Sequence, residues 1–162
     1  MGSHAESSGS TTPVTRIPSV VSIGYEGQSA DEIVRCLAQK SVDTLVDVRK
    51  NAISRKPGLS KTRLRTMLAE HGVEYVHLPA LGNPKENRAG FQAKDPSLAH
   101  ERFRSLLAEP SGRAGLDDLA RLASNGHVAV LCFERDPREC HRTIVIEELQ
   151  NLMISRMVEF TG

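Results

Sequence analysis

The chain has 162 residues, about the size of one domain, with 21 Lys and Arg against 20 Asp and Glu and a formal net charge of +1. This length buries a core without disulfide or metal staples, and near-neutrality excludes a global field that would announce a nucleic acid or a membrane. An odd count of three cysteines and the lack of any run approaching ~20 apolar residues point to a reducing cytoplasm and no membrane partner.

The opening MGSH reads as an expression remnant, and the Ser-, Thr- and Pro-rich stretch from Ala5 to about Pro18 holds too little apolar content to pack. Residues 1–18 are set apart on that ground, leaving residues 19–162 as a single α/β domain. Val20 to Tyr25 (VVSIGY) predicts a first strand. Ser29 to Lys40 follows as a helix, with Ser29 and Glu32 as a capping box and Ile33, Val34 and Leu37 as its buried stripe. Thr44 to Arg49 predicts a second strand. Ser60 to His71 predicts a second helix with Leu64, Met67 and Leu68 on one face, closed by Gly72. Val73 to Pro79 is the third strand.

The polar connection from Leu81 to Ser97 is longer than a passive linker needs and predicts a functional or mobile segment, such as a lid. Helices over Leu98 to Glu109 and Gly115 to Asn125 lead to a fourth strand, His127 to Phe133. A last helix opens at Asp136 (N-cap), Pro137 and Glu139 and runs to about Ser155. Strands alternating with helices predict a mostly parallel central sheet with helices on both faces.

Ligands of open α/β sheets bind beyond the carboxyl ends of the strands. Tyr25 and Glu26 follow the first strand, Asp47 and Arg49 end the second, His77 ends the third with Gly82 beyond it, and Cys132 and Glu134 end the fourth. Each alone has a bland structural explanation, but together they put a carboxylate, an imidazole and guanidinium groups where a passive sheet needs only turns. Stepping back along the buried face of the last helix (Val145, Ile146, Leu149, Leu152, Met153) reaches His141 and Arg142, which therefore point inward. An Arg at a helix N-terminus opposes the dipole, so Arg142 calls for a carboxylate such as Asp47 or Glu134, or for an anionic ligand.

The motifs IGYEG (Ile23 to Gly27), VDVR (Val46 to Arg49), YVHLPALG (Tyr75 to Gly82), LCFE (Leu131 to Glu134) and CHR (Cys140 to Arg142), in this order, resemble the domain-of-unknown-function family 488. The resemblance implies one α/β domain with these motifs around one pocket, and carries Tyr25, Glu26, Asp47, Arg49, His77, Gly82, Cys132, Glu134, Cys140, His141 and Arg142 into it. The chain departs from the family pattern after VDVR, where a proline and small polar residues give way to KNAISRKPGLSKTRLR. That stretch carries Arg49, Lys50, Arg55, Lys56, Lys61, Arg63 and Arg65 and no acid, and so suits DNA, RNA or nucleotide phosphates.

The expected function is an enzyme acting on a nucleic-acid base or nucleotide, in the manner of a repair-type N-glycosidic hydrolase. Asp47 or Glu134 activates water, Tyr25 stacks on the base, and Arg49, His141 or Arg142 holds a phosphate or the leaving base. The alternatives are rhodanese-like sulfur transfer through Cys132 and a non-catalytic nucleic-acid-binding module. Against sulfur transfer, acids follow Cys132 closely and raise a thiol pKa, and the loop lacks a glycine to cradle an anion. No metal or other cofactor is expected, since Cys132, Cys140 and His141 lack the paired Cys-x-x-Cys spacing and Cys36 lies on a distant helix. The sequence carries no signal of oligomeric state.

Overall fold

Short segments built around Val, Ile, Leu and Tyr form β1 (Val21–Gly24), β2 (Thr44–Asp47), β3 (Glu74–His77) and β4 (Val128–Cys132). A computed structural model describes residues 18–161, and among these the four strands make one all-parallel sheet in the order β1-β4-β2-β3. The remnant and polar stretch anticipated before Pro18 lie outside the described residues. No described helix is long and apolar enough to cross a membrane.

Among the described residues six α-helices join or follow the strands: α1 (Ala30–Gln39), α2 (Lys61–Glu70), α3 (Lys85–Phe91), α4 (Ser97–Ala108), α5 (Pro110–Asn125) and α6 (Arg142–Thr161). Alternation along the strands sends side chains to two separate cores. Leu45, Ala129 and Leu131 pack with Ile33, Leu37, Leu64 and Leu68 of α1 and α2. Val46, Val128, Val130 and Cys132 pack with Phe91, Phe103, Leu119, Val145 and Leu149 of α3 to α6. Both faces of β2 and β4 are thereby covered, and every residue of the two strands is buried.

Local signals hold where they are strongest. The Ser29 hydroxyl accepts from the Glu32 amide at 3.2 Å and the Glu32 carboxylate accepts from the Ser29 amide at 3.1 Å, completing the capping box. Gly72 ends α2 with φ at 72°, a backbone open to glycine at no steric cost. Met67 is only partly buried on the stripe where Leu64 and Leu68 are fully enclosed.

Two expectations are corrected. The connection from Leu81 to Ser97 is not an irregular loop: it holds α3, and the Asn87 side-chain amide donates to Asn83 Oδ1 at 3.0 Å and to the Ala99 carbonyl at 2.9 Å, with both asparagines buried. Those polar side chains replace the apolar stripe by which a helix is normally recognised. The last helix also starts late. Asp136 caps and Pro137 leads, but only a 3₁₀ turn, Pro137–Glu139, and Cys140 is extended before α6 begins at Arg142. Cys140, His141 and Arg142 are all buried, and three consecutive residues cannot all lie on the one buried face of a helix.

The sheet order makes the cleft. The chain leaves β1 and β2 toward α1 and α2 on one face, but leaves β4, which lies between them, toward α6 on the other. Loops that part in this way open a crevice at the carboxyl ends of the strands. At its edge Gly24 lets β1 press on the turn after β4, because a Cβ there would overlap the Glu134 carbonyl oxygen. Gly24→Ala is expected to destabilise the fold by about 1–3 kcal/mol through overpacking; an unchanged urea midpoint would show that the turn yields freely.

Candidate active site

Asp47, the last residue of β2, is wholly buried and binds Arg49 through three guanidinium contacts: Nε at 2.9 and 3.1 Å from the two carboxylate oxygens and Nη2 at 2.7 Å. The Arg49 amide adds a fourth bond at 3.1 Å, and the Tyr75 hydroxyl donates to Oδ2 at 2.5 Å. Arg49 Nη1 then donates to the Leu59 carbonyl at 2.7 Å and to the Tyr25 hydroxyl at 3.3 Å. Burial would lower the pKa of Arg49, but the hydrogen bonds and charge of Asp47 outweigh it and hold the guanidinium above its ordinary value. Burial, and then the bond to Asp47, push the Tyr75 phenol up.

The next two carbonyls hold two histidines. His77 Nε2 donates to the Arg49 carbonyl at 2.7 Å, and His141 Nε2 donates to the Val48 carbonyl at 2.8 Å. A carbonyl can only accept, so Nε2 carries the hydrogen on each ring. His141 Nδ1 is left facing two sulfurs, Cys132 Sγ at 3.6 Å and Cys140 Sγ at 3.7 Å, while Phe103 meets the ring edge-on at 5.3 Å. The Cys132 thiol donates to Glu134 Oε2 at 3.3 Å.

The two thiols are driven apart. Its hydrogen bond with Cys140, burial, and the charges of Cys140 and Glu134 push Cys132 well up. Burial opposes ionisation of Cys140 too, yet its hydrogen bond with Cys132, the neighbouring His141 ring and the charge of Arg142 hold it below the usual thiol range. Burial first, and the charge of Cys140 second, raise Glu134.

A cavity of about 170 Å³ opens above these groups, lined by Tyr25, Arg49, Lys50, Asn83, Arg88, Phe91, Cys132, Phe133, Glu134, Glu139 and His141. Of the anticipated site residues it gathers Tyr25, Arg49, Lys50, Cys132, Glu134 and His141. Asp47, His77 and Cys140 stand behind it. Gly82 allows close passage instead, since a Cβ there would come within 2.5 Å of the Lys50 backbone. Glu26 accepts from the Arg135 amide at 3.0 Å and ties two loops together outside the cavity.

Arg142 corrects another expectation. It meets neither Asp47 nor Glu134 through a carboxylate, and it does not line the cavity; its guanidinium donates to Ser22 Oγ at 2.6 Å and to the carbonyls of Glu134 at 2.5 Å and Arg135 at 3.2 Å. The turn before α6 presents two backbone acceptors that do the work assigned to a carboxylate. The basic stretch is also dispersed. Lys56 donates to the Gln28 carbonyl at 2.8 Å, Arg65 lies 5.2 Å from the Tyr75 ring centroid, and Arg55 and Lys61 do not line the cavity. Lys56 and Arg63 share a second depression with Asp31, Glu32 and Glu70, so what is one-signed in sequence is mixed in space.

Sequence reasoning missed Asn83, Arg88, Phe91, Phe133 and Glu139. Asn83 to Phe91 sit in the segment taken for a lid, directly after YVHLPALG, and Phe133 lies inside LCFE, with 46% of its surface exposed.

Fold and site together define a parallel α/β domain with a polar cleft at the carboxyl edge of its sheet. The family model described as Domain of unknown function DUF488 matches residues 29–149, and the chain belongs to this family. VDVR, YVHLPALG, LCFE and CHR fall within the matched span. No curated protein and no solved structure matches the chain.

Asp47→Ala is expected to cost about 3–5 kcal/mol, because it strands the Arg49 charge in the interior. Chemical denaturation measures this; a loss under about 1 kcal/mol, the scale of an exposed pair, would show that the pair is dispensable.

Proposed function

We propose that the protein is a hydrolase acting on a nucleic-acid base or nucleotide, and that its chemistry is carried out in the cavity above Cys132, Glu134 and His141. The observation that carries this is the make-up of the cavity wall: aromatic rings of Tyr25, Phe91 and Phe133, the cations Lys50 and Arg88, and the acid–base groups Cys132, Glu134 and His141. A volume of about 170 Å³ is below the ~300–1,000 Å³ common for whole small-molecule ligands, so it takes one ring, with a phosphate left outside. Lys50 and Arg88 supply charge for that phosphate. Arg49 contributes less, because Asp47 already neutralises it.

Glu134 is the acid–base residue in this scheme. It takes a proton from water, whose oxygen bonds to the sugar carbon of an N-glycosidic link; the carbon–nitrogen bond breaks, its electron pair leaves with the base, and the proton held by Glu134 passes to the base nitrogen. Phe133 stacks on the ring, a role that suits its exposure better than that of Tyr25, which is only 4% exposed. Asp47 passes from catalytic candidate to positioning residue, through its hold on Arg49 and Tyr25.

Sulfur transfer through Cys132 is less well supported, because its thiol hydrogen is already donated to Glu134. A pure binding module leaves the cluster of Cys132, Glu134 and His141 without use.

Nucleosides, nucleoside monophosphates and oligonucleotides with modified bases are the substrates to screen, with chromatography for released base. Glu134→Gln is expected to lower turnover by about 10²–10⁴-fold while binding persists. Lys50→Ala and Arg88→Ala are expected to weaken binding of the monophosphate more than that of the free nucleoside. No released base from any substrate, together with no retention of nucleic acid at low salt, would end this proposal.

A further inference from the structure

Two sulfurs and a ring nitrogen at the floor of the cavity go unused in the acid–base scheme as donors. Cys132 Sγ, Cys140 Sγ and one His141 nitrogen lie within 4.8 Å of one another, and all three residues are buried. The cysteines are free thiols rather than a disulfide. Nδ1 is 3.6 Å from one sulfur and 3.7 Å from the other. In a tetrahedral zinc site with Zn–S of ~2.3 Å and Zn–N of ~2.0–2.1 Å, a sulfur and a nitrogen ligand stand roughly 3.6 Å apart. The two sulfur–nitrogen edges are thus already at coordination spacing, with the two sulfurs within 4.8 Å of each other.

The imidazole is also set as a ligand. Its Nε2 hydrogen is committed to the Val48 carbonyl at 2.8 Å, which in the neutral ring leaves the Nδ1 lone pair directed at the sulfurs. The Phe103 ring, edge-on at 5.3 Å, limits rotation of that ring. The wide sequence spacing that counted against a metal is closed by the 3₁₀ turn and the extended Cys140, which bring residues 140 and 141 back beneath the end of β4.

We propose that Cys132, Cys140 and His141 bind one zinc-class divalent ion, with a fourth, water-bearing position open to the cavity. The direction of that opening follows from the lining: Cys132 and His141 face the cavity and Cys140 lies behind them. Metal binding displaces the Cys132 thiol proton, and the two thiolates with a neutral imidazole match the charge and softness of zinc. Three protein ligands and one open position are the pattern of a catalytic rather than a structural zinc. Glu134 Oε2, 3.3 Å from Cys132 Sγ, stands beside the site to receive a proton from the bound water. Metal binding stands by itself; only the use of the bound hydroxide on a base rests on the hydrolase reading above.

The test uses the full chain, purified under reducing conditions without chelator. Elemental analysis is expected to find about one zinc per chain. After stripping and titration with cobalt(II), thiolate-to-cobalt charge-transfer bands and the intense visible bands of a tetrahedral site are expected. Cys132→Ala and Cys140→Ala lose both signals, while Cys36→Ser, on the remote α1, keeps them. Circular dichroism separates metal loss from unfolding in the variants. Folded wild-type protein with no zinc and no charge-transfer band on cobalt addition overturns the site whatever the variants do, as does full cobalt binding by Cys140→Ala. Cobalt bands without turnover of any base uphold the metal site and count against the hydrolase alone.

Discussion

The Asp47–Arg49 pair at the end of β2 is the interaction on which the carboxyl edge of the sheet depends. A charge pair this deeply enclosed stabilises only if its hydrogen bonds are complete, and here they are: the guanidinium and amide of Arg49 and the hydroxyl of Tyr75 saturate the carboxylate. The outer face of the guanidinium then reaches Tyr25 after β1 and Leu59 before α2. The end of β2, the turn after β1 and the approach to α2 are held by one side chain. No buried side-chain polar atom among the described residues lacks a partner.

From that anchor the site is built outward by backbone carbonyls. Val48 and Arg49 turn their oxygens to His141 and His77, and the carbonyls of Glu134 and Arg135 turn theirs to Arg142. The turn after β4 is thus pinned from both sides, by β2 through His141 and by α6 through Arg142. Cys132, Glu134 and His141 are left in a fixed relation at the cavity floor, which is what positioned acid–base or metal chemistry requires. Rigid elements supply the floor, and the exposed Phe133 supplies the only large aromatic face that the described cavity lining offers to solvent.

Much of this was legible in the sequence, for identifiable reasons. The strands and α1 announce themselves through apolar runs and a capping box, and the rule that ligands bind at strand ends led to Tyr25, Arg49, Cys132 and Glu134. Depth was not legible. Asp47 and Glu134 look alike as strand-end acids, yet one lies under Arg49 and Tyr75 and the other borders the cavity. Nor does sequence tell that the partners of Arg142 are carbonyls, because backbone acceptors have no letter. α3 was hidden because buried asparagines, not leucines, hold it. The seven basic residues from Arg49 to Arg65 form one run on paper, but Lys50 borders the cavity, Lys56 lies at the second depression, and Arg65, within α2, lies over the Tyr75 ring.

The most direct measurement is a backbone amide NMR titration of the full chain with a nucleoside 5′-monophosphate at low salt. If the cleft at the carboxyl edge is the site, shift changes concentrate at Lys50, Asn83, Arg88, Phe133 and Glu134, around the cavity. Changes confined to Gln28, Lys56 and Arg63 around the second depression, or no saturable change at all, would contradict it.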